Sequence, residues 1–192
     1  RLHRIVCLRI DDVMRLISIV LFTVVTAFSH ANSSGVVAPQ ESAPLIDGTV
    51  SNGEYGLSLQ YDNIAVHLTI VADILYVGVD ARTSGWVAVG FGSPLMDGAH
   101  ILFGFVKRNG EVFFAEQIGH EHRHDDVSET LVITHAVTEQ DGVTTLEASL
   151  PAAFVRGSVN DRGTFPMIFA YSRRDSVRTV HRFYKSIELN FR

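Results

Sequence analysis

Two sets of side chains in this sequence have types and spacing suited to chemistry. The first is a thioether and an imidazole far apart in the chain, Met96 and His181. Met96 sits in Gly92-Ser93-Pro94-Leu95-Met96-Asp97-Gly98, a turn-forming stretch where a methionine that only fills core is less expected than in a strand. Met167, by contrast, has a plain core position on an alternating strand. On residue types alone, a packing methionine and an exposed histidine account for the pair better than ligation of a heme iron does. The second set is His120-Glu121-His122-Arg123-His124-Asp125-Asp126. Extended, this run would point His120, His122 and His124 to one side, a donor set for Zn²⁺, Cu²⁺ or Ni²⁺. A solvated loop between two strands is the other reading, and spacing supplies no fourth ligand. Other chemistries lack their residues. G-x-S-x-G, G-x-x-x-x-G-K-[ST] and G-x-G-x-x-G are absent, and no two carboxylates are paired by spacing alone. No catalytic constellation is read, so an enzyme is not expected.

The elements that must position these residues are strands. Short apolar runs are broken by turn signals at Asp47-Gly48, Asn52-Gly53, Arg108-Asn109-Gly110 and Gln140-Asp141-Gly142. Strands are expected over 56–61, 64–71, 74–80, 85–92, 99–107, 111–118, 130–137, 143–150, 165–173 and 183–189. In the second of these, Ile64, Val66, Leu68 and Ile70 share one face, and Ala65, His67, Thr69 and Val71 the other. Helical periodicity is nearly absent, with a short turn expected at 151–155. Many short strands at this spacing indicate one all-β domain over residues 44–192, an antiparallel sandwich of about ten strands.

The chain before that domain reads as processing sequence. Residues 1–13 precede the first methionine, Met14, and are expected to be an over-extended reading frame. Met14-Arg15, a mostly apolar uncharged run from Leu16 to Phe28, and Ser29-His30-Ala31 read as a signal peptide over 14–31, too short to span a bilayer comfortably. Residues 32–43 read as a flexible tether. Export removes four Arg, two Asp and the sole cysteine, Cys7, leaving 12 basic and 19 acidic residues, net −7. A mature chain without cysteine has neither disulfides nor covalent c-type heme, and its acidity argues against nucleic acid. The expected product is periplasmic or secreted, with no stable membrane anchor after cleavage.

The ordered motifs resemble the DOMON family. The likeness begins with Ile46-Asp47-Gly48-Thr49-Val50-Ser51-Asn52-Gly53-Glu54-Tyr55 and runs through Leu75-Tyr76-Val77-Gly78-Val79. It continues in Gly85-Trp86-Val87-Ala88-Val89-Gly90-Phe91-Gly92 and Met96-Asp97-Gly98-Ala99, and closes with Phe169-Ala170-Tyr171-Ser172 and His181. The resemblance implies an Ig-like β-sandwich. It is nearest the heme-binding branch, which includes the cytochrome domain of cellobiose dehydrogenase, where a turn methionine and a C-terminal histidine hold iron. Carried over, Met96 and His181 would be axial ligands of a non-covalent heme b in one-electron transfer or redox sensing. Trp86, Phe91, Phe103, Phe105 and Tyr171 would be candidates to line the pocket. Arg173, Arg174, Arg178 and Arg182 would be candidates for its propionates. The redox partner would be a protein on a separate chain. Other family members imply the alternative, a non-heme module binding a carbohydrate or a protein. One position departs from the pattern: His100 replaces the usual acidic residue, and could be a rival ligand, a supporting hydrogen-bond donor or an ordinary polar residue.

Overall fold

The computed structural model describes residues 35–191, His122 excepted; the leader, Cys7 and residues 32–34 of the expected tether lie outside the described residues. Period-two runs become strands: β1 (Gly35–Val37), β2 (Leu57–Tyr61), β3 (Ile64–Val71), β4 (Ile74–Ala81), β5 (Val87–Phe91), β6 (His100–Val106), β7 (Val112–His120), β8 (Arg123–Asp126), β9 (Thr134–Gln140), β10 (Val143–Pro151), β11 (Phe165–Tyr171) and β12 (Phe183–Phe191). One short helix, α1 (Ala152–Gly157), follows β10. The strands form a seven-stranded sheet ordered β1-β12-β11-β5-β6-β7-β8 and a five-stranded sheet ordered β2-β3-β4-β10-β9. Every pairing between strands is antiparallel except β1 with β12. Turn chemistry sets the registers. Asp141 (φ 52) and Gly142 (φ 74) form the two-residue loop between β9 and β10, where both positions need the left-handed region.

The inner faces meet in one core. Val66, Leu68, Val77, Val79 and Leu146 come from one sheet and Val87, Val89, Phe91, Met167 and Phe169 from the other. The all-β sandwich expected from alternation is the observed architecture. Among the described residues, no helix is long and apolar enough to cross a membrane.

Three local differences have physical causes. Gly35–Val37, expected as tether, is a strand. Val37 is fully buried, and a Cβ at Gly35 would stand 2.7 Å from a Leu57 methyl, so glycine permits the close approach. The strand expected at 130–137 starts later, at Thr134. The Glu116 carboxylate binds the Thr130 hydroxyl and accepts the Leu131 and Val132 amides at 2.7 and 3.3 Å, taking them out of the ladder. Finally, the histidine-rich run contributes β8, an extra edge strand paired with β7.

Candidate functional site

A sheet packed on one side usually turns polar residues outward. The centre of the outer face of the seven-stranded sheet does not. Alternation sends Val87, Val89 and Phe91 inward, so Trp86, Ala88 and Gly90 face out. Across the strands, Ala88 lies opposite Ala170 and Phe103, and Ala170 opposite Tyr184. Ala88 and Ala170 are small, the Ile168 side chain lies over Gly90, and Trp86, Phe103, Phe105 and Phe113 pack beside them. The Trp86 and Phe103 rings are 4.9 Å apart, and Phe105 stacks on Phe113 at 4.8 Å. Trp86 and Phe103 are only 5% and 3% exposed. The indole Nε1 of Trp86 is buried without a hydrogen-bond partner, an orphan donor aimed into an apolar surround.

Two loops reach this face from opposite ends of β5, whose register spans about 13 Å at 3.3 Å per residue. Loop 92–99 leaves at Phe91 and carries Met96, which is half-buried against the Trp86 cluster. The Gly98 amide donates to Gly119 O and the Gly119 amide to Ala99 O, both at 2.9 Å, while the Glu121 amide donates to Asp97 Oδ1 at 2.9 Å. A Cβ at Gly119 would fall 1.8 Å from the Met96 carbonyl oxygen, so only glycine lets the loop lie down here. Loop 172–182 leaves at Tyr171, opposite Val87. Its base is closed by Arg182 N–H donating to Tyr171 O at 2.7 Å and Ser172 N–H donating to Trp86 O at 2.9 Å. His181 stands exposed, its ring 4.8 Å from that of Tyr184 on the same outer face. Beside the two residues, Leu95 and Val180 are 66% and 76% exposed. Both loops that flank the apolar face thus carry an open apolar side chain.

Other expected site residues fall elsewhere. Phe91 and Tyr171, taken as pocket lining, belong to the core between the sheets, because their odd positions in β5 and β11 point inward. Phe103 and Phe105 lie on the outer cluster with Trp86. His100 also faces inward, 2.6 Å from Glu116 and 5.0 Å from the Phe154 ring, on the side of the sheet away from Met96. Its open roles close on one, a buried hydrogen-bonding partner. Burial alone would raise the Glu116 carboxyl, but hydrogen bonds from Thr130, Leu131, His100 and Val132 outweigh it and hold the group below its ordinary range.

The three-imidazole arrangement is also corrected. The chain reverses after Glu121 (φ 52), so His120 and His124 lie on neighbouring strands; His122 lies outside the described residues. His124 pairs with Gly119 and stacks over Phe103 on the outer face, while His120, one residue on from Gly119, has the opposite orientation. Period-two alternation continues through a strand but not around a hairpin. Among the described residues, no group of three or more His, Cys, Asp or Glu side chains gathers as a metal site.

Charge collects at the base of loop 172–182. A cavity of about 800 Å³ there is lined by Lys107, Arg108, Arg173, Arg174, Glu139 and Asp175 among others. Burial, then the Asp175 charge, pushes the Glu139 carboxyl up. Arg178 and Arg182 are exposed on the same loop.

The opening motif has a structural role that spacing did not reveal. Glu147 on β10 is fully buried and accepts the Gly48 amide at 2.7 Å, the Thr49 amide at 3.1 Å, the Asp47 amide at 3.2 Å and the Tyr55 hydroxyl at 2.7 Å. Burial, then that bond to Glu147, raises the Tyr55 phenol well above its ordinary range. The motif thus clamps loop 45–56 onto the outer face of the five-stranded sheet.

No protein-family model matches the chain, and no curated protein matches it. Solved structures do. The cytochrome domain of cellobiose dehydrogenase from Myriococcum thermophilum is 10% identical over 71% of this chain and 81% of its own, with a TM-score of 0.53. The cytochrome b domain of pyranose dehydrogenase from Coprinopsis cinerea is 11% identical over 65% and 75%, with a TM-score of 0.52. A carbohydrate-binding module of family 9 from Caldicellulosiruptor kristjanssonii, in complex with glucose, is 13% identical over 82% and 95%, at a TM-score of 0.44. At such identities the likeness is one of fold.

Proposed function

We propose that the outer face of the seven-stranded sheet holds a non-covalent heme b between Met96 and His181, and that the chain is an exported one-electron carrier or redox sensor. The observation that carries this reading is a half-buried thioether and an imidazole brought by two loops, from opposite ends, to one apolar sheet face. The residues fit the group. The face between the two loops is apolar, the Trp86 N–H lacks an acceptor, and Leu95 and Val180 are open to solvent. The two cytochrome domains similar in fold support the same reading.

Bound there, heme would supply reversible one-electron exchange. Met96 and His181 would hold its iron through a thioether sulfur and an imidazole nitrogen. Arg173 and Arg174, at the base of the His181 loop, would offer charge-assisted hydrogen bonds to carboxylates. The electron donor or acceptor would be another polypeptide, and the acidic chain would favour a basic patch on it.

The test is an absorption spectrum of the full chain, purified from an exporting host supplied with heme, oxidised and dithionite-reduced. Met96→Ala and His181→Ala are recorded beside it. Trp86 is the sole tryptophan, so its emission gives a second readout during hemin titration. The expected result is a Soret band with sharp reduced α and β bands, converted to high-spin or lost in each variant, and quenched Trp86 emission. A colourless chain whose Trp86 emission ignores hemin overturns the reading and leaves the carbohydrate- or protein-binding module.

A further inference from the structure

On the outer face of the five-stranded sheet, strand pairing brings three side chains into one hydrogen-bonded line. Ser58 on β2 lies directly opposite His67 on β3, and Asp80 on β4 lies opposite Ala65, two residues before His67 on the same face. Ser58 Oγ is 2.8 Å from His67 Nδ1, and His67 Nε2 is 2.7 Å from Asp80 Oδ2. A neutral imidazole that donates its Nε2–H to Asp80 presents the Nδ1 lone pair to the Ser58 hydroxyl, which then donates; the partners assign this tautomer. His67 is 9% exposed beneath the Tyr55 ring, whereas Ser58 is open. Opposite His67 on β4 stands Gly78, where a Cβ would lie 3.0 Å from Val50 and 3.3 Å from Tyr55. That glycine lets loop 45–56 close over the imidazole. A cavity of about 490 Å³ between the loop and the sheet is lined by all three residues, with Gln60, Thr138 and Gln140 among its polar walls. Asn52 and Gly53 also line it, and their amides have no acceptor among the described residues.

We propose that Ser58, His67 and Asp80 form a nucleophilic relay that hydrolyses small acyl esters of hydrophilic alcohols in this cavity. The arrangement has the roles such chemistry needs: an exposed hydroxyl, a shielded base, and a carboxylate that orients the base and stabilises its charged form. Ser58 Oγ bonds to the acyl carbon as its proton passes to His67 Nδ1. The carbon–oxygen bond to the alcohol then breaks, and His67 returns that proton to the leaving oxygen. Water attacks the acyl-Ser58 by the same route, releasing the carboxylic acid and restoring the hydroxyl. The cavity's volume and polar walls set the substrate class. No linear motif exposes the relay, because its members are 9 and 13 residues apart in sequence and meet only across the sheet.

The full chain is treated with a fluorophosphonate probe, in which the Ser58 Oγ–P bond forms as fluoride leaves, and adducts are mapped by peptide mass. Hydrolysis of p-nitrophenyl acetate is followed in parallel. One adduct per chain is expected on Ser58, absent in Ser58→Ala and forming at least tenfold more slowly in Asp80→Asn, with ester hydrolysis falling in step. Unchanged thermal unfolding of both variants shows that they fold. Failure of the folded chain to react, an adduct elsewhere, or an Asp80→Asn rate equal to that of the parent chain overturns the proposal.

Discussion

The two outer faces of this sandwich solve opposite problems. The seven-stranded sheet turns out a largely aromatic and small-residue surface, held by packing, on which the buried Trp86 N–H has no partner. The five-stranded sheet turns out polar and charged groups, and its buried ionisable ones are held by hydrogen bonds, although the Thr69 hydroxyl is buried without a partner. Glu147 takes four donors, and His67 is held on both sides. An apolar face tolerates loss of a contact by repacking. A buried carboxylate that loses its donors, or donors that lose their carboxylate, cannot repack and bear the full desolvation penalty. The polar face should therefore be brittle and the apolar face forgiving.

The sharpest break is Glu147→Ala. It strands three amides and the Tyr55 hydroxyl and releases the loop that covers the relay. A loss of about 3–5 kcal/mol is expected, seen as a fall in Tm on the order of 10 °C in thermal unfolding. Gly119→Ala should rank second. The added Cβ collides with the Met96 carbonyl and must push the 92–99 loop off the apolar face, at about 2–3 kcal/mol. Hemin uptake should fall with it, while labelling of Ser58 stays unchanged; an equal loss of both would mean that the faces are not independent.

A pH test sharpens the contrast at the buried His100–Glu116 pair. Glu116 has a folded-state carboxyl below its ordinary 4.5, so the unfolded chain takes up that proton first as pH falls. Its stabilisation is complete above about pH 4.5 and drains away below that value. Glu116→Gln should flatten the fall in stability below about pH 4.5 in urea unfolding. Trp86→Phe is a smaller change. It removes an indole N–H that has no partner, so stability should move by less than about 1 kcal/mol, yet hemin affinity should weaken if the bound group accepts from that N–H. Smallest is Arg156→Ala, which breaks an exposed 3.1 Å pair with Asp73 and should change stability by less than about 0.5 kcal/mol.

Much of the architecture was legible before any coordinates. Alternation in Ile64–Val71 and Phe165–Tyr171, with Asp141-Gly142 as a turn, placed most strands within a residue or two, because side-chain period and φ preference are local properties. The same locality explains the Met96 turn: Gly92, Pro94 and Gly98 declare it, and it folds as one. What alternation does not carry is the sense of each face or the identity of each neighbour. Phe91 and Trp86 are both apolar residues of one motif, yet one is core and the other lines the outer surface, a difference of phase that only the covering sheet assigns. The three histidines at 120, 122 and 124 share a phase on paper, but a hairpin at Glu121 separates His120 from His124. Ser58, His67 and Asp80 are unremarkable in sequence and become a hydrogen-bonded line only through the registers of β2, β3 and β4. The sequence alone determined the strands, the turns and the residues offered for chemistry. Tertiary structure decided which of them meet, because pairing and burial are set between segments and not within them.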